Sequence, residues 1–146
     1  MNGRTTLSVL AFAVMVAGII GLFYRGPLFV AEPVVVACQL AAFALMIWAR
    51  ITFGRRSFHA AASPTAGGVV SSGPYAYLRH PIYTAACLFV WPPAILARTP
   101  IALGCAALVT AGAIVRMLCE EALLKHQYAD YAAYAQRTKR MVPYLF

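Results

Sequence analysis

Four apolar runs separated by short polar breaks constrain this chain more than any other feature. They are Leu7–Tyr24, Leu28–Ala49, Ile82–Ala97 and Ile101–Leu118. A helix needs about 20 apolar residues to cross a hydrocarbon core of roughly 30 Å, and all four runs come near that length. With 62% hydrophobic and only 11% charged residues in a 146-residue chain, there is too little polar surface to clothe a water-soluble domain. The pattern predicts one all-α membrane domain with four transmembrane helices, a cytoplasmic loop and a C-terminal amphipathic helix. Its parts are a two-helix scaffold (1–50), the loop (51–81), a second helix pair (82–118) and the terminal helix (119–146). The first run is too long for a secretory signal's apolar region, and no small-residue cleavage site precedes Tyr24-Arg25, so it reads as retained.

The net charge of +8 raises nucleic-acid binding, but the basic residues flank apolar runs instead of forming one soluble face. The excess of Lys and Arg in cytoplasmic loops explains them better. With both termini cytoplasmic, the inside carries Arg4, Arg50, Arg55, Arg56, Arg79, Arg116, Lys125, Arg137, Lys139 and Arg140, and the outside only Arg25 and Arg98. Cys38, Cys87, Cys105 and Cys119 are scattered without metal-ligand or redox spacing and read as small apolar residues.

Within the spans, Gly18 and Gly21 predict close helix approach. Glu32 sits where a carboxylate favours a helix N-terminus, and Trp48 and Arg50 lie at interfacial depth. The stretch from Thr52 to Arg79 lacks helical periodicity and is dense in turn residues, so it reads as extended, with at most a short strand at Val69-Val70. Pro81 fits the first helical position with His80 as cap, and Pro92-Pro93 should kink or end the third helix early. The last segment, from Glu121 to Arg140, shows apolar and aromatic residues every three or four positions, which predicts an amphipathic helix; its tyrosines read as packing.

Ionisable chemistry is concentrated in two places: Gly73-Pro74-Tyr75-Ala76-Tyr77-Leu78-Arg79-His80-Pro81-Ile82-Tyr83, and the pair Glu120-Glu121. Four helices alternating in direction bring both to the same side of the membrane. Arg and His donors suit a carboxylate, extended backbone offers amides to a purine edge, and tyrosine faces with a carboxylate tolerate a sulfonium cation. S-adenosylmethionine carries all three groups. Transfer of its methyl is an in-line displacement governed by alignment, so the lack of an evident nucleophile or triad is expected, and no catalytic acid or base is assigned.

Gly73-Pro74-Tyr75, Arg79-His80-Pro81-Ile82-Tyr83, and Glu120-Glu121 followed by Leu124, Tyr128, Tyr131, Tyr134 and Pro143 resemble the isoprenylcysteine carboxyl methyltransferase family and its phospholipid methyltransferase relatives. The resemblance runs from Gly67 to Pro143. It implies an integral membrane enzyme whose S-adenosylmethionine lies in a cytoplasmic pocket closed by the loop and the C-terminal helix. Tyr75, His80, Pro81, Ile82, Tyr83 and Glu120 would contact the cofactor, with Leu78, Arg79 and Glu121 beside them. Gly67, Gly68, Val69 and Val70 would run past it, offering backbone only, because glycines stand where the family carries a polar side chain. Arg116 would receive the carboxylate of a lipophilic or prenylated acceptor, drawn from the membrane lipid. Gln127-Tyr128 departs from the family's Phe-Gly. Two other readings compete. A sterol-type membrane reductase is similar around His-Pro-x-Tyr but would need more cations for its NADPH phosphates, and a non-enzymatic membrane protein would use the same charges as an interfacial ion-pair network.

Overall fold

The computed structural model describes residues 3–26, 28–54, 68–142 and 146. Its helices are α1 (Gly3–Arg25), α2 (Pro33–Phe53), α3 (Pro81–Ala97), α4 (Pro100–Gln127) and α5 (Tyr131–Arg137), with one 3₁₀ turn at Gly73–Ala76. Among the described residues there is no sheet, and Val69-Val70 forms no strand, since no neighbouring backbone pairs with it. Gly67 and Pro143 lie outside the described residues.

Neighbouring helices run in the order α2, α3, α4, α1. The buried positions of α1 are Ser8, Ala11, Met15, Gly18 and Leu22, spaced by three and four, which places one stripe of the helix against α4. The two backbones come close because each helix sets a glycine against the backbone of the other. A Cβ on Gly112 would lie 2.6 Å from the Ala11 carbonyl oxygen, and one on Gly18 2.8 Å from that of Cys105. Since early α1 meets late α4, the two are antiparallel. Tyr83 meets Arg116, and Trp91 Nε1 donates to Thr110 Oγ1 at 2.8 Å, which makes α3 and α4 antiparallel as well.

Glu32 accepts a hydrogen bond from Val35 N at 3.0 Å and caps α2, as a carboxylate ahead of a helix should. The expected early stop of α3 does not occur. The helix runs through Pro92 and Pro93 to Ala97, where Arg98 turns left-handed (φ 53°). Pro93 has no N–H to give the Phe89 carbonyl four residues back. Gln39 Nε2 of α2 approaches that carbonyl at 3.4 Å while donating to Leu28 O at 2.7 Å, so a neighbouring side chain replaces part of what proline removes.

Helices α1, α2 and α4 are long and apolar enough to cross a membrane; α3, with 17 residues, is shorter. The single amphipathic helix expected from Glu121 to Arg140 is also corrected. Helix α4 continues unbroken through Glu120 and Glu121 to Gln127, the chain extends at Tyr128, and the short α5 follows. The break lets α5 turn back so that Tyr131 and Tyr134 are buried. Of the cysteines, Cys119 is buried and the other three are partly so; all are free thiols.

Candidate functional site

Pro81 begins α3 with its missing N–H harmless, and the His80 carbonyl at the cap accepts from Tyr83 N and Thr84 N at 3.1 Å each. The imidazole does not cap; it turns toward α4. There Nδ1 lies 3.6 Å from Glu120 Oε2 and Nε2 3.5 Å from Glu121 Oε1, so one ring stands between two adjacent carboxylates. Consecutive residues on a helix point about 100° apart, which is why only a group in the crook between them touches both. His80 is 6% exposed. Burial alone would lower its pKa, but the hydrogen bonds and charges of Glu120 and Glu121 outweigh that and raise it above the usual 6.5.

Each carboxylate then recruits its own cations. Glu121, 3% exposed, accepts from Arg79 Nε at 2.9 Å and from Arg140 Nη2 at 3.2 Å. Glu120 accepts from the Tyr83 hydroxyl and lies 3.4 Å from Arg116 Nη2, the expected i,i+4 pair. Arg116 Nε donates to the Tyr83 hydroxyl at 2.8 Å, and the Tyr83 ring stacks on His80. A continuous chain of contacts thus runs from Arg79 through Glu121, His80, Glu120 and Tyr83 to Arg116.

The segment after α5 fastens this arrangement. Leu78 pairs in parallel with Lys139, Arg79 N donates to Lys139 O at 2.7 Å, and His80 N donates to Arg140 O at 3.0 Å. Arg79 Nη1 also reaches the carbonyls of Ala135 (2.8 Å) and Thr138. The motif's backbone donors are therefore satisfied by residues about 60 positions later.

On the other side of Arg79 lies a narrow cleft of about 70 Å³, lined by Phe53, Gly68, Val69, Val70, Tyr75, Arg79, Leu124, Tyr128, Tyr131 and Tyr134. Half of its lining residues are aromatic. Tyr134 donates to the Tyr75 carbonyl at 2.8 Å, which holds the 3₁₀ turn against α5. Burial pushes the Tyr134 phenol up to about 12 and raises those of Tyr75 and Tyr131 further. All three stay neutral across physiological pH and serve as ring faces and donors, not as bases. Among the described residues, the buried Tyr131 hydroxyl has no hydrogen-bond partner, and His80 Nε2, beside the cleft, has only its 3.5 Å ion contact with Glu121. Such orphans cost free energy unless something polar reaches them.

The residues singled out from sequence therefore separate into groups. Gly68, Val69, Val70, Tyr75 and Arg79 line the cleft, while His80, Tyr83, Glu120, Glu121 and Arg116 form the polar chain beside it. Leu78 is buried in the bridge to Lys139, and Pro81 and Ile82 open α3 without lining the cleft. The opening was expected between the two polar patches; instead they touch directly and the space lies alongside, because the ion pairs close the gap. Phe53, Tyr128, Tyr131 and Tyr134 line the cleft without having been assigned there, and Arg140 was read only as a flanking base.

A family model described as phospholipid methyltransferase matches residues 33–131, about two thirds of the chain. The chain belongs to the phospholipid methyltransferase family. It sits in that group of small membrane methyltransferases together with the isoprenylcysteine type. Its reaction is thus methyl transfer, and its helices belong in a membrane. No curated protein and no solved structure matches the chain. The matched region of this phospholipid methyltransferase family member begins at α2 and ends inside α5, leaving α1 and the fastening segment outside it.

Methyltransferases of the family use S-adenosylmethionine. The residues present fit it in chemistry: aromatic faces for a purine and for a sulfonium, non-helical backbone at Gly68–Val70, and the unsatisfied buried hydroxyl of Tyr131. In its present width the cleft takes only a few water molecules, so a nucleoside enters only as the walls part.

Proposed function

We propose that the chain is an S-adenosylmethionine-dependent methyltransferase that acts on a lipophilic acceptor bearing a carboxylate, of the isoprenylcysteine type. The observation that carries this reading is the continuous run of contacts from the aromatic cleft, through His80 and Glu120, to the buried cation Arg116. It offers a cofactor side and an acceptor side that share one polar centre. When bound, the cofactor supplies a methyl on a positively charged sulfur, which departs as a neutral thioether when the acceptor's oxygen takes the methyl.

The chain's own groups position and exclude water. Tyr75, Tyr131 and Tyr134 present ring faces, Gly68–Val70 present backbone, and His80 and Glu120 fix the polar end. Arg116 holds the acceptor's carboxylate in line, and such alignment supplies most of the acceleration in a displacement of this kind. Spans three and four accept the apolar tail. We place four spans in the bilayer, α3 included, with both termini and the site on the cytoplasmic side, as the distribution of Lys and Arg supports.

Two measurements on detergent-purified protein test the reading. S-adenosylhomocysteine should bind by calorimetry, and His80→Ala or Glu120→Ala should weaken binding at least about tenfold, the equivalent of one lost charge-assisted hydrogen bond. Labelled methyl should pass to N-acetyl-S-farnesylcysteine, and Arg116→Lys should raise the KM for that acceptor by a larger factor than it weakens S-adenosylhomocysteine binding. If NADPH binds and S-adenosylhomocysteine does not, the cofactor assignment fails. If phosphatidylethanolamine takes the label and the farnesylcysteine does not, the carboxylate acceptor fails.

A further inference from the structure

Arg116 is 5% exposed, yet one of the side chains that cover it, Phe12, can move without breaking a hydrogen bond. The guanidinium carbon lies 5.9 Å from the centroid of the Tyr83 ring, which is held by its bonds to Arg116 and Glu120 and stacked on His80. One edge reaches the Ser8 carbonyl of α1 at 3.4 Å. The cation also stands over the ring of Phe12, one turn along α1 from Ser8, at 5.1 Å from its centroid. Phe12 has no polar atom to anchor its ring and is 42% exposed on the outside of the bundle, the side that faces lipid in a membrane.

Building on the methyltransferase reading above, we propose that Phe12 is a lateral gate and specificity-determining residue: an amphiphile with an anionic head reaches Arg116 from the bilayer by displacing this ring. The competition favours the ligand. A cation held against a half-exposed aromatic face gains less than one hydrogen-bonded to a carboxylate or phosphate, and Arg presents a planar fork suited to both. The covered ground state keeps an otherwise lipid-facing charge shielded until a head group arrives, which is where burial of an ionisable residue within an apolar helix points to function. The gate lies on α1, outside residues 33–131 that the family model matches.

Equilibrium binding without methyl donor reads the gate whether or not transfer occurs. N-acetyl-S-farnesylcysteine and farnesyl phosphate are titrated as the two anionic heads, with farnesol as the uncharged control, against wild type, Phe12→Ala and Phe12→Trp. Phe12→Ala should tighten binding of at least one anionic probe about threefold or more, and Phe12→Trp, a larger and better cation partner, should loosen it by a similar factor. Farnesol and S-adenosylhomocysteine affinities should stay level. Which probe responds identifies carboxylate or phosphate as the head. Changes of the same sign in both variants, changes that farnesol shares, or no change in a folded Phe12→Ala protein overturn the gate. Failure of the wild type to methylate any of the acceptors would count against the proposed activity and leave these affinities to decide the gate.

Discussion

His80 illustrates how a single ring reports on its neighbours. Glu120 and Glu121 face it from α4, Tyr83 stacks on it from α3, and Arg79 and Arg140 compete for Glu121. Its pKa in the folded chain lies above the 6.5 of the unfolded chain, so the folded state binds the extra proton. The stability this gives is complete below about pH 6.5 and is lost as pH rises through the raised value, with about 1.4 kcal/mol at stake for each pH unit by which the folded value exceeds the unfolded one. The thermal midpoint in detergent should therefore fall between pH 6.5 and the alkaline range in wild type, and this part of the fall should vanish in His80→Gln. A wild-type and a variant curve that stay parallel would show that the ring is neutral in the folded chain. This scale is also where the sequence was most and least readable. Charges are scarce in so apolar a chain, so Arg79, His80 and the acidic pair stood out and do meet. Tyr128, Tyr131 and Tyr134 did not, because tyrosines at helical spacing look alike whether they pack or line a cleft.

Helix packing turns on where a side chain is missing. Gly112 faces the Ala11 backbone, which cannot yield, so Gly112→Ala should force α1 and α4 apart and cost about 1–3 kcal/mol. Gly104, on the same helix, meets nothing within 4 Å. Gly104→Ala should be neutral or stabilise by up to about 1 kcal/mol through helix propensity. Thermal unfolding of the pair in one detergent checks both, and equal effects would show that the α1–α4 contact is not the tight seam described. Helix existence was legible because apolar run length is a strong signal. Helix ends were not: nothing local announces that Gln39 will answer for Pro93, or that α4 carries straight on past Glu121 and only α5 turns back. Those outcomes depend on partners many residues away.

For the molecule as a whole, antiparallel neighbours put the start of α1, the end of α2, the start of α3 and the end of α4 at the same end as the polar chain. Reporter tags ahead of Gly3 and after Phe146 should then label from one side of the membrane, and a tag in the Arg98–Pro100 turn from the other. Termini that label from opposite sides would mean that α3, the shortest of the four, does not cross. The α1 helix escaped a functional reading because it looked like plain scaffold, and Lys139 and Arg140 because they looked like ordinary flanking bases. Both contact the polar chain directly, through Ser8 and Phe12 at one end and Lys139 and Arg140 at the other. The pairing of Leu78–His80 with Lys139–Arg140 carries a consequence for biogenesis. While Lys139 and Arg140 are still inside the ribosome, all the long helices are already made, yet the motif ahead of α3 lacks the strands of peptide that complete it. Until Lys139 and Arg140 emerge, the backbone donors of Arg79 and His80 lack the carbonyls that satisfy them, so the polar chain closes later than the helices that carry it.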